Sequence, residues 1–188
     1  MSFVFDHPVD EENPWHGQRE WYCIGTPELL LAHVVRLFEA PELLLQAFSP
    51  GQIFEGLSYL STLLGTPERW LFDQGLSWTL RKNAIHSMVR LAERLFAREP
   101  CNDACFMWWD WLIFHRQLTE READAILAAL TEILTLPSRD CWHSALHGLG
   151  HLDHPDKSER IEEFLREHPN LSNDDRAYAR MAAAGDVL

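Results

Sequence analysis

From about residue 27 to the carboxyl end, apolar side chains return every three or four positions, the pitch of an α-helix. Between Arg81 and Arg98, the residues Ile85, Met88, Val89, Ala92, Leu95 and Phe96 share one face. Arg90, Arg94 and Arg98 step along the opposite face, which reads as a solvated back. Ala123, Ile126, Leu127, Leu130, Ile133 and Leu134 repeat the pattern after Glu120, as do Ile161, Phe164 and Leu165 after Asp156. Helix starts punctuate these stretches. Thr26-Pro27-Glu28, Ser49-Pro50-Gly51-Gln52 and Thr66-Pro67-Glu68 each place a hydroxyl at the N-cap and proline at N1. The hydroxyl accepts from an orphan N–H, and proline has no N–H to leave unsatisfied there. Thr119 with Glu122, and Ser172 with Asp175, have capping-box spacing, while His154-Pro155-Asp156 marks a break and restart.

The pattern predicts an all-α fold of about ten helices, near 27–39, 41–47, 50–64, 67–73, 77–98, 101–117, 120–135, 139–153, 156–168 and 173–184. Short connections predict antiparallel helical hairpins within one domain spanning 1–188. Strand alternation is missing apart from an extended start at Phe3-Val4-Phe5. The first 25 residues are irregular, and Trp15, Trp21 and Tyr22 in them predict an arm packed on the body.

In the segment from Ser144 to Leu152, Ala145, Gly148 and Gly150 are small enough for a neighbouring helix to come close. Leu146, Leu149 and Leu152 would fill the seam. This segment, with the break and amphipathic helix after it, resembles the core of a HEAT-like repeat, best over residues 139–184. The whole chain is similar to bacterial HEAT-like helical proteins. That resemblance implies hairpins stacked as an α-α superhelix of HEAT or armadillo type, and it implies no activity. The earlier helices show no repeat of fixed length.

Charge narrows the partners. The formal net charge is −13, and Lys82 and Lys157 are the only lysines among 16 basic residues. Such a field repels phosphate backbones, so nucleic acid is excluded as an expected partner and a basic protein is favoured. No apolar run approaches the ~20 residues that span a bilayer, and the N-terminus lacks the basic-then-apolar order of a signal peptide. Cys23, Cys101, Cys105 and Cys141 form no CxxC pair, so free thiols in a reducing cytoplasm are expected.

Two constellations could carry chemistry. His143, His147, His151 and His154 are spaced four, four and three apart, which on one helix confines them to an arc of about 80°. Trp142, Ala145, Leu146, Leu149 and Leu152 occupy the adjoining arc, so the histidines are expected on a flank beside the core. A polar face lining a ligand or partner groove explains the stripe, as does a structural role. The sharper alternative is a transition-metal site on His147 and His151, an i, i+4 pair, completed by Asp153, Cys141, Asp110 or His115. The glutamate of a zincin-type HExxH motif is absent. The sequence therefore assigns no metal and no cofactor.

The second constellation is the run from Cys101 to His115, apolar nearly all round and expected to be a buried helix. Asp110 is its exception. Flanked by Phe106, Met107, Ile113 and Phe114, its carboxylate must be paired or hydrogen-bonded, as a structural group or as an anchor in a groove. No nucleophile elbow, phosphate loop or dinucleotide fingerprint is present. Two functions follow as expectations. The first is an acidic protein-interaction or scaffold module, of which an immunity or antidote protein is one version. The second is a metal- or small-molecule-binding enzyme using the histidine stripe and Asp110.

Overall fold

A computed structural model describes residues 2–10, 12, 25–65, 71–98, 102–113 and 117–187. The expectations placed on Trp15, Trp21, Tyr22, Cys23, Thr66-Pro67-Glu68, Cys101 and His115 lie outside the described residues. Among the described residues every regular element is helical and none is a strand. Clustering of contacts divides the chain into two compact units, Met1–Leu95 and Phe96–Leu188.

The first unit contains α1 (Ser2–Phe5), α2 (Pro27–Glu39), α3 (Leu44–Ala47), α4 (Pro50–Gly65) and α5 (Trp78–Leu91). The start expected to be extended is thus one helical turn. It is held by Phe5, which is buried, lies 5.5 Å from the Phe48 ring and packs over Gly56 of α4. A Cβ on Gly56 would stand 2.2 Å from the Phe5 ring, so only glycine permits this approach. The α2 helix, capped by Thr26, packs on α5 and buries Leu31, Val34 and Phe38. Ser49 and Gln52 form the reciprocal capping pair that starts α4. Just past the end of α5, Arg94 donates to the Glu39 carbonyl at 2.7 Å, closing the C-terminus of α2.

The second unit contains α6 (Asn102–Phe106), α7 (Trp108–Ile113), α8 (Glu120–Leu134), α9 (Arg139–His151), α10 (Lys157–Glu167) and α11 (Asn173–Ala184). The long buried helix expected over 101–117 is two short ones separated at Met107. Trp111 is 37% exposed, so the run is not shielded on every side. The central element is α9, against which α6, α7, α8 and α11 all pack. Neighbours on several sides bury it almost completely from Ser144 to Gly150. Gly148 is what lets α7 and α8 in: a Cβ there would stand 2.8 Å from Trp109 Cβ and 2.9 Å from Leu130 Cδ2. No helix among the described residues is long and apolar enough to cross a membrane.

Candidate functional site

The histidine stripe comes apart in the structure. Only His147 and His151 meet, joined by Asp110 from α7. One ligand atom from each of the three lies within 4.8 Å of the others. His151 Nε2 is 3.2 Å from Asp110 Oδ1 and 3.2 Å from His147 Nε2. His147 Nε2 is 4.0 Å from Asp110 Oδ1. The expected flank position fails for His147, which is fully buried at 0% exposure. Because α9 is the centre of its unit, the side opposite the leucines faces α6 and α11 instead of water. The Phe106 ring packs 4.5 Å from the His147 ring, and Tyr178 of α11 places its hydroxyl 2.9 Å from His147 Nδ1.

Burial pushes the His147 imidazole below its ordinary value, and the neighbouring His151 adds to that, against the opposing pull of Asp110. Burial also pushes the Tyr178 phenol up to about 12. Asp110 is less enclosed than expected, with 16% of its side chain exposed. Its carboxylate faces the imidazoles of His147 and His151, the grouping that the metal-site alternative had named.

His143 and His154 belong to other pairs. His143 Nε2 lies 2.8 Å from Asp175 Oδ1, and its ring stacks on Tyr178 at 5.2 Å and 14°. Asp175 also accepts from Arg139 at 2.7 Å and from the Ser172 hydroxyl at 2.7 Å. These contacts hold its carboxyl far below the usual range: Arg139 contributes most, then Ser172, then His143. His154 is not on the helix. The α9 helix ends at His151 and Leu152 is extended; Pro155 has no N–H to bond the His151 carbonyl and disfavours the α region at His154, so the helix does not run on through this segment. His154 Nδ1 accepts from the Asp156 N–H at 3.1 Å, and Nε2 reaches Asp124 of α8 at 3.0 Å.

Tyr178, Asp175 and Asp124 were not singled out by the sequence as site groups. Asp175 had the signature of a helix N-terminal charge, and it is one, since the Ser172 hydroxyl caps α11 by accepting from the Asp175 N–H. Its burial and its hold on His143 depend on α9 lying alongside. Cys105 and Cys141 are both buried. The Cys141 thiol is lowered mainly by a hydrogen bond from Cys105, against the desolvation that raises it. It has no part in the triad. Comparison with protein-family models, with curated proteins and with solved structures gave no match.

Proposed function

We propose that the unit of residues 96–188 binds a divalent transition-metal ion through Asp110, His147 and His151. The observation that carries this reading is the convergence of two imidazole nitrogens and a carboxylate oxygen within 4.8 Å, brought together from α7 and α9. An ion about 2.0–2.1 Å from each of its donors in tetrahedral array separates them by about 3.3–3.4 Å. The two contacts at 3.2 Å already match, and the third must close from 4.0 Å by about 0.6 Å. Imidazole favours zinc, nickel, copper and iron over magnesium or calcium. Three protein donors leave room for water or substrate, which supports an enzymatic role over a purely structural ion.

The test uses the untagged protein and Co(II). One equivalent should bind and give visible d–d absorption, while Asp110→Asn and His151→Ala should each weaken binding at least about 100-fold. Folded wild-type protein that takes up no Co(II), Zn(II) or Ni(II) rejects the proposal.

A second reading, an acidic module binding a basic protein, is supported by the net charge of −13. Leu29, Leu43 and Leu45 add exposed apolar surface to the first unit. Association with a basic partner that weakens steeply with salt would support it. For the fold, the packing of α10 on α11 supports a hairpin of HEAT-like type within 139–184, and the packing of α8 on α9 a further hairpin leading into it.

A further inference from the structure

We infer that Tyr178 is a positioning residue for the metal centre: its phenolic oxygen accepts the Nδ1 proton of His147 and so turns the bare Nε2 lone pair toward the ion. The inference rests on the metal-binding reading and extends the site onto α11.

The proton assignment follows from three contacts. Asp110 is a carboxylate and can only accept, so the nitrogen facing it at 3.2 Å, His151 Nε2, must carry a proton. That same nitrogen is 3.2 Å from His147 Nε2, and two N–H groups cannot face each other in a hydrogen bond. His147 Nε2 is therefore the acceptor. A fully buried His147, with its closest carboxylate oxygen 4.0 Å away, is neutral and holds its single proton on Nδ1. Across from Nδ1, at 2.9 Å, is the Tyr178 oxygen, which accepts. The metal-free protein thus already holds His147 in the tautomer an ion requires, with Nε2 unprotonated. Loading an ion leaves the His147 proton in place and requires only that the His151 proton move from Nε2 to Nδ1, so that the His151 Nε2 lone pair is freed.

The tyrosine is itself held in place. Its ring stacks on His143, which is pinned by Asp175, which is pinned by Arg139 and Ser172. Two helices therefore fix one hydroxyl against one ring nitrogen. Tyr178 serves as an outer partner of the ligand, on the ring edge opposite the triad.

Two measurements test this. Long-range ¹H–¹⁵N correlation on metal-free, ¹⁵N-histidine-labelled protein should show His147 protonated at Nδ1. A proton at Nε2, or at both nitrogens, near pH 7 overturns the inference. Tyr178→Phe should leave one Co(II) bound per chain but weaken it about 10–100-fold, and should release His147 into a mixture of tautomers. Co(II) affinity equal to wild type also overturns it. If wild-type protein binds no Co(II), the metal reading falls, and the tautomer measurement still decides the role of Tyr178. If Tyr178→Phe does not fold, the wild-type spectrum decides alone.

Discussion

Gly148→Ala tests whether the packing of α9 sets the geometry of the triad. The new methyl carbon would stand 2.8 Å from Trp109 Cβ and 2.9 Å from both Trp109 Cγ and Leu130 Cδ2. Carbon atoms in good contact sit about 3.5–4.0 Å apart. The α7 helix must then retreat from α9 by about 0.7 Å, because a Cβ moves only with its backbone. The residue after Trp109 is Asp110, so the same shift carries the carboxylate away from His151, now 3.2 Å distant. Metal–ligand distances tolerate about ±0.2 Å. Overpacking of this kind costs about 1–3 kcal/mol, and exchanging glycine for alanine inside a helix returns about 0.8–1.0 kcal/mol. The net loss is about 0–2 kcal/mol, too small to unfold the protein, while Co(II) affinity should drop tenfold or more. Gly150→Ala is the matched control. Its Cβ would meet Val187 at 2.2 Å and push on the carboxyl-terminal end of the chain, not on a ligand. It should keep wild-type affinity. The assays are urea unfolding of both variants and Co(II) titration followed by absorbance. If Gly148→Ala binds Co(II) as tightly as wild type and matches Gly150→Ala in stability, α7 packing does not place Asp110.

Two further outcomes are expected. His154→Ala should leave Co(II) affinity unchanged, because His154 is tied to Asp124 and Asp156 and is not one of the triad; a large loss on titration would put it in the site. Asp175→Asn should cost about 1.5–3 kcal/mol in urea unfolding near pH 7, as charge-assisted hydrogen bonds are lost; the exposure of Arg139, at 60%, keeps the figure from being larger. The folded-state value of Asp175 lies below the ordinary 3.8, so its contribution is present above about pH 3.8 and disappears as pH falls below it. The difference between wild type and Asp175→Asn should therefore begin to narrow as pH falls below about 4 and keep narrowing through pH 2, and a gap that stays constant from pH 5 to pH 2 would contradict this account.

Helix positions were legible in the sequence because they depend on local physics. Periodicity, hydroxyl caps and prolines place α2, α4, α8, α9, α10 and α11 within a few residues of where they lie. Less legible was the run from Cys101 to His115. Its uniform apolarity concealed the break at Met107, and so concealed the exposed Trp111 and the slightly exposed Asp110. The histidine stripe was visible as a pattern and ambiguous as chemistry. Spacing puts side chains on a common arc but says nothing of what faces that arc.

Tertiary structure decided that question. Four helices converge on α9, so one histidine face was divided among Asp175 of α11, Asp110 of α7 and, past the end of the helix, Asp124 of α8. An imidazole becomes a ligand, an ion-pair partner or a core group according to the carboxylate opposite it, and here each carboxylate comes from a segment distant in the chain. Helical pitch is set by neighbours three and four residues apart. The partner of a side chain is set by which helices pack together, and a one-dimensional pattern carries no record of that.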